Sequence, residues 1–477
     1  MQAMPVLIVG YEAAPYYKRG GLGDVVGSLP KALREIGIDA HIVMPYYKNI
    51  ETNHREKKIG QFSVVFGKKL EQVGIYSSSS TSKAKAPVYF LQNRTYLDKI
   101  FTRGKNKKIG QFAFFDLAVV EFIAWLSSST YSVPNIVHCN DWHTGLIPLI
   151  LKKKGIDVPT LLTIHNLNYQ GKGSLKVLDS LHVADDEARV IKRGVPATKI
   201  NLLGEGIVHA TRVSTVSQTY AKEIMENYQK DSIFRFLGER EKEEGKKAQV
   251  SGILNGIDYE VWNPQKDTFL KAQYSLSNWK DGKGKNKRSF LNALRLKEKA
   301  TYCFIGRMAA QKGLDLLVQV IDMLIKHDAN VIVLGSGQHK IEHSIMQVAR
   351  KYHEHMRVDI SYDEQFAHRL YASADFILIP SHYEPCGLIQ MVAMRYGALP
   401  IASRTGGLAD SIEDGVNGFL FKKNSVAEFK KAIKKSFGLY NNPKAMKQMV
   451  DNAMRTDFSW KRSALLYKKL YEEIIAS

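Results

Sequence analysis

Cysteine is scarce. There are three in 477 residues, Cys139, Cys303 and Cys386, and their separations match neither a disulfide framework nor a zinc site. That excludes a disulfide-stapled scaffold and fits a reducing, cytoplasmic setting. The start of the chain lacks a long apolar run: Val6-Leu7-Ile8-Val9 is far shorter than a signal-peptide core or a membrane span and has no basic leader before it. It reads as a buried strand. No repeat of solenoid length is visible, and acidic residues are outnumbered, 47 Asp and Glu against 68 Lys and Arg.

What is present is ordinary globular material, 44% hydrophobic and 24% charged, in a chain longer than one hydrophobic core usually supports. Two domains are expected. The net charge of +21 would suit an anionic partner, but the lysines are spread along the chain. The local clusters Arg103-Gly104-Lys105-Asn106-Lys107-Lys108, Lys152-Lys153-Lys154 and Lys283-Gly284-Lys285-Asn286-Lys287-Arg288 read as exposed loops or helix ends, without a nucleic-acid-binding signature. A solvated basic surface is expected, with no nucleic acid and no membrane as partner.

Short β-branched runs alternate with helix-length segments. In the first half these are Val6–Val9, Ala40–Met44, Ile136–Cys139, Thr160–Ile164 and Arg212–Val216; Val250–Leu254, Tyr302–Ile305, Asn330–Leu334, Phe376–Ile379 and Leu399–Ala402 follow in the second. The alternation predicts an α/β protein with two doubly wound parallel sheets. The expected division is 1–248, 249–456 and a C-terminal helix over 457–477 that packs back on the first domain. Tyr76–Lys85, with its four consecutive serines, reads as a loop.

Ligands in such sheets bind beyond the carboxyl ends of the strands, and the polar signatures fall there. After the first strand comes Lys18-Arg19-Gly20-Gly21-Leu22-Gly23-Asp24, where glycines let backbone amides approach a phosphate. A glycine-rich turn by itself serves equally well as a tight connection. Asp141 follows the Ile136 run, and His165 with Asn166 follows the Thr160 run. Asp185-Asp186-Glu187 is too isolated for a metal site, and no metal is expected. In the second half Arg307 and Lys312 flank a strand-to-helix turn, a place where cations oppose the helix dipole unless an anion is bound. Glu384 lies in Pro380-Ser381-His382-Tyr383-Glu384-Pro385-Cys386-Gly387-Leu388, where a carboxylate can accept hydrogen bonds from sugar hydroxyls. Neither half is a complete site, so a site shared across a cleft is expected.

Together with Asn255-Gly256-Ile257-Asp258 and Thr405-Gly406-Gly407-Leu408, these segments resemble the bacterial and plant glycogen and starch synthases over nearly the whole chain. The resemblance implies the GT-B architecture, two Rossmann-like domains facing a deep interdomain cleft. It also implies retaining transfer of glucose from ADP-glucose to the non-reducing end of an α-1,4-glucan, without cofactor or metal. Lys18, Arg307 and Lys312 would bind the diphosphate with the Gly21 amide. Glu384 and the backbone of Cys386, Gly387 and Leu388 would hold the glucose hydroxyls. Asp141, His165 and Asn166 would line the sugar and acceptor side, His165 through its carbonyl. Tyr362 would stack on the base, and Asn255, Thr405 and Gly406 would complete the donor pocket. Lys312, as a cation at the mouth of a cleft, is expected to matter little for folding.

The sequence departs from the family pattern at Arg19, at Tyr383, and over Gln229-Lys230-Asp231-Ser232-Ile233, which has no glycine until Gly238. The alternatives are a related glucosyltransferase with a small acceptor and a basic nucleic-acid-binding protein. Whether the chain forms a homo-oligomer is left open.

Overall fold

The computed structural model describes residues 4–48, 50, 56–78, 86–99, 105–183, 198–226, 236–237, 249–361 and 363–476. Tyr362, the 185–187 acidic run and the 229–233 and 238 departures lie outside them. The chain forms two compact units, Met1–Gly256 with Trp460–Ser477, and Ile257–Ser459.

The first unit is built on a nine-stranded sheet in the order β11-β10-β7-β6-β1-β2-β5-β4-β3. Its strands are β1 Met4–Val9, β2 Ile38–Pro45, β3 Lys57–Phe66, β4 Lys69–Ser77, β5 Val88–Gln92, β6 Ile136–Asn140, β7 Thr160–Ile164, β10 Arg212–Thr215 and β11 Val250–Gly252. A separate antiparallel pair is formed by β8 Lys172–Ser174 and β9 Lys199–Asn201. From β5 to β11 the pairings are parallel. That is why Val6–Val9 is apolar without alternation and Ile136–Cys139 is buried throughout, His138 included: both faces of the strands are covered.

Two features differ from the sequence expectation. β11, which pattern alone placed at the head of the second domain, pairs in parallel with β10 through Val213 and Val250, so the first unit runs on to Gly256 rather than ending at 248. Strands β3 and β4 form an antiparallel hairpin at the sheet edge; Tyr76 and Ser77, read as the start of a loop, end β4. In helix Lys105–Ser127 the stretch Lys108–Ser127 is long and apolar enough, by length and composition, to cross a membrane. Within the first unit it is a core helix, with Phe112, Phe114, Phe115, Val119, Phe122 and Ile123 fully buried.

The chain returns to this unit as helix Trp460–Ile475, which packs against helix Gly21–Glu35. The Tyr471 hydroxyl lies 2.8 Å from His138 Nδ1, and the Ser463 hydroxyl donates to the Leu254 carbonyl.

The second unit is a six-stranded parallel sheet in the order β14-β13-β12-β15-β16-β17. The strands are β12 Thr301–Ile305, β13 Asn330–Leu334, β14 Met356–Asp359, β15 Phe376–Ile379, β16 Leu399–Ser403 and β17 Phe419–Phe421. The basic cluster at 283–288, read as exposed, corrects to a helical turn with an inner face. Within helix Trp279–Ala293, Lys283 and Lys287 are buried. Lys283 Nζ donates to the carbonyls of Tyr371 and Ala374, closing the end of helix Glu364–Ser373. Lys287 Nζ pairs with Asp375 at 2.6 Å.

Candidate active site

In the first unit strand order turns at β1, which lies between β6 and β2. The carboxyl ends of β1, β6 and β7 are therefore where a ligand is expected. Glu12, just past β1, is 1% exposed and accepts the backbone N–H of Arg19 and, at 3.2 Å, that of Gly23. It pins the glycine-rich turn to the sheet. Helix Gly21–Glu35 begins directly after this turn, and Lys18 Nζ lies 2.7 Å from Asp24 Oδ1 on its first turn. Burial outweighs the hydrogen bonds and pushes the Glu12 carboxyl up to about 7.

Beyond β6, Asp141 adopts a left-handed φ of 61°. Its carboxylate turns back over the sheet: Oδ1 accepts the N–H of His165 at 2.7 Å and of Asn166 at 3.4 Å. Burial raises this carboxyl to about 7 and holds the His165 imidazole down at about 3, in its neutral form. His165 Nε2 lies 2.9 Å from Asn140 Oδ1. His143 stacks on Tyr11, ring centroids 3.7 Å apart. The structure thus joins Asp141, His165 and Asn166 in one cluster. Asn255 lies in the first unit too, buried, and its Oδ1 has no hydrogen-bond partner among the described residues.

In the second unit strand order turns between β12 and β15, and among the interactions that span that point is an ion pair. Lys312 Nζ lies 2.6 Å from Glu384 Oε2, with only 13% and 8% of their side chains exposed. The Ser381 hydroxyl donates to the same oxygen at 3.0 Å. Lys312, expected as a cation at the mouth of a cleft that matters little for folding, is thus largely buried and ion-paired. A side chain at Gly313, φ +69°, would put its Cβ 1.9 Å from the Pro380 carbonyl oxygen; only glycine lets the Lys312 turn seat against the loop that carries Glu384. Gly406, φ +43°, has the same relation to the Glu384 carbonyl, at 2.0 Å, which brings Thr405 and Gly406 to Glu384, Pro385 and Cys386. Gln390 Nε2 donates to the carbonyls of Cys386 and Gly387 and to the Ser411 hydroxyl. It sets the turn from Cys386 through Gly387 to Leu388. Arg307 sits on an exposed turn after β12.

A buried carboxylate with two donors on one oxygen retains acceptor capacity for hydroxyls, and the adjacent ammonium can face an anion. Among the described residues no group of three or more His, Cys, Asp or Glu side chains is placed to hold a metal ion. Glu12, Asn140, Ser381 and Gln390 escaped the reading of the sequence. The signal for Glu12 was an acid three residues past the apolar strand that ends at Val9, and Ser381 lay inside the Glu384 segment.

Residues 5–238 match the model of the starch synthase catalytic domain, and residues 286–456 that of group 1 glycosyl transferases. The chain is 34% identical to a glycogen synthase of Thermodesulfovibrio yellowstonii, over 99% of this chain and 98% of the relative. It is 37% identical to one from Thermotoga maritima, over 99% of each. Among solved structures, the catalytic domain of starch synthase IV from Arabidopsis thaliana, bound to ADP and acarbose, superposes with a TM-score of 0.88 at 30% identity, covering 100% of both chains. A sucrose-phosphate synthase from Thermosynechococcus elongatus shares the fold, with a TM-score of 0.62 at 16% identity over 99% of each chain.

Proposed function

We propose, since the chain belongs to the glycogen and starch synthase family of GT-B glycosyltransferases, that it transfers glucose from ADP-glucose to the non-reducing 4-hydroxyl of an α-1,4-glucan with retention of configuration. The observation that carries this reading is the buried Lys312–Glu384–Ser381 group at the turning point of the second sheet. The ADP and acarbose bound by the Arabidopsis relative are a nucleotide and a glucan-like ligand of the matching classes.

Glu384 accepts hydrogen bonds from glucose hydroxyls, and the turn over Cys386, Gly387 and Leu388, fixed by Gln390, offers backbone amides to the same sugar. Lys312, Arg307 and Lys18 with the Gly21 amide face the diphosphate. Negative charge grows there as the glycosidic bond breaks, so cations already in place stabilise the transition state more than the ground state. Asp141, His165 and Asn166 form the sugar and acceptor side, Tyr362 stacks on the base, and Asn255, Thr405 and Gly406 complete the donor pocket. On this reading the cationic side chains supply the positive charge that a metal supplies in other transferases.

The test is incorporation of labelled glucose into glycogen from ADP-glucose or UDP-glucose, with short acceptors in parallel. Preferential ADP-glucose-dependent elongation is expected; transfer only to a small acceptor would overturn the reading. Elongation should persist in excess EDTA, and full loss restored by magnesium or manganese would refute the metal-free scheme.

A further inference from the structure

Asn140 ends β6 one residue before Asp141, and its side-chain amide is fixed by what surrounds it. Nδ2 donates to the Val9 carbonyl at 3.0 Å and to the His138 carbonyl at 3.2 Å. Both are acceptors only, so the amide cannot be reversed without setting oxygen against oxygen. Oδ1 must then face His165 Nε2, 2.9 Å away. A carbonyl oxygen accepts and never donates, so Nε2 carries the hydrogen. Burial keeps the imidazole neutral, with its pKa near 3. Nδ1 is left with a bare lone pair and, among the described residues, makes no hydrogen bond. The backbone of the same residue is held by Asp141 at 2.7 Å, so ring and main chain are both immobilised.

We infer that Asn140 is a positioning residue that fixes His165 as its Nε2–H tautomer, so that Nδ1 presents an acceptor to a hydroxyl of the bound sugar and His165 donates no proton in the reaction. A histidine's function depends on which nitrogen is protonated, and the hydrogen bond made by the other nitrogen decides it. The site is then selective by polarity: a hydroxyl that can donate is matched, whereas a methoxy or fluoro group at that position leaves two acceptors opposed. The identity of the partner as a sugar rests on the proposed function; the tautomer does not.

The test is two-bond proton–nitrogen correlation spectroscopy on the full chain labelled with nitrogen-15 histidine, with the His165 signals assigned by their loss in His165→Gln. Between about pH 6 and 8, where free histidine titrates, a protonated Nε2 and an unprotonated Nδ1 are expected. This spectrum of the unaltered protein needs no variant to fold, and an Nδ1-protonated ring would overturn the inference. Asn140→Asp sets a carboxylate against Nε2 and should hold His165 as imidazolium over the same range. Asn140→Ala should move the signals toward the average of two exchanging tautomers. It should also lower kcat roughly 10–100-fold, the range for losing the partner that orients a ligating histidine, with the donor KM little changed. An Asn140→Ala protein with the original tautomer and unaltered kcat would equally refute it. If the spectrum is as expected but the unaltered protein transfers no glucose to glucan, the functional reading fails and the tautomer assignment stands.

Discussion

Lys312 and Glu384 hold each other in place, so neither can be altered without exposing the other's charge to a nearly dry environment. Lys312→Ala removes one of the two donors on Glu384 Oε2 and leaves the Ser381 hydroxyl alone. Turnover at saturating ADP-glucose should fall roughly 10²–10³-fold, as when one preorganised donor is lost. Stability should fall as well, by about 1–3 kcal/mol for the under-satisfied buried carboxylate. Glu384→Gln in the same background should restore much of the stability and none of the activity; glucan elongation and denaturant titration of both variants check this, and near-normal turnover of Lys312→Ala would misplace the donor site. Glu12 gives a pH signature. Its folded pKa of about 7 lies above the usual 4.5, so between those values the folded state binds more protons than the unfolded state, and the contribution to stability declines as pH rises through that window. Relative to Glu12→Gln, the protein should lose on the order of 2–3 kcal/mol from about pH 4.5 to 7, with the loss levelling off about one pH unit above the folded pKa. A difference that is flat with pH in denaturant titrations would refute this. The residues singled out from the sequence, Lys18, Asp141, His165 and Glu384, lie in polar or glycine-rich segments that come after an apolar strand. Glu12, Ser381 and Gln390 act on backbone or on other side chains, and their meaning lies in partners that only the folded turns bring near.

Helix Trp279–Ala293 shows where sequence patterning stopped short at the level of an element. Its basic stretch looks solvated because lysine is usually exposed. Lys283 and Lys287 nevertheless lie four apart on one helical face, against Asp375 and the end of helix Glu364–Ser373. Their partners stand 88 to 153 residues away, beyond any local window. Asp375 also accepts the N–H of Thr301, the first residue of β12, so the pair ties this helix to the strand that leads to Arg307. Lys287→Met should cost about 3–5 kcal/mol by leaving a buried carboxylate unpaired, whereas adding Asp375→Asn should recover a large part of it. Lys285→Ala, which removes an exposed pair with Asp281, should stay within about 0.5 kcal/mol. Chemical denaturation of the three variants separates them; equal effects of Lys285→Ala and Lys287→Met would show that the inner face carries no special energy. The central parallel strands were legible because both their faces are buried, giving continuous runs of Val, Ile and Leu. The β3–β4 hairpin was not, because at a sheet edge one face meets water and the apolar positions thin to alternate residues.

The whole molecule is not a simple succession of two units, since the first is closed by the last helix of the chain. That return was expected from the sequence, but amphipathic patterning does not say where on the sheet the helix sits: the apolar face of Trp460–Ile475 could cover many surfaces. What specifies its place is polar. Tyr471 reaches His138 in the middle of β6, His138 continues to the Thr163 hydroxyl at 2.6 Å, and Thr163 to Ser214 at 2.7 Å. One chain of hydrogen bonds thus joins the C-terminal helix to β6, β7 and β10, two of which end in Asn140 and lead into His165. Tyr471→Phe keeps the buried ring and removes the hydroxyl, leaving His138 Nδ1 buried without that partner. Stability of the first unit should fall by about 1–3 kcal/mol. Deletion of residues 460–477 should do far more, since Trp460, Ala464, Tyr467, Leu470, Tyr471 and Ile474 are all buried. Hydrogen exchange read by mass spectrometry locates the effect: in Tyr471→Phe, peptides spanning β6 and β7 should exchange faster while those of β12 and β15 stay as they were. A uniform change in both units, or protection in β6 and β7 that survives the deletion, would show that the C-terminal helix is not part of the first unit's cooperative core.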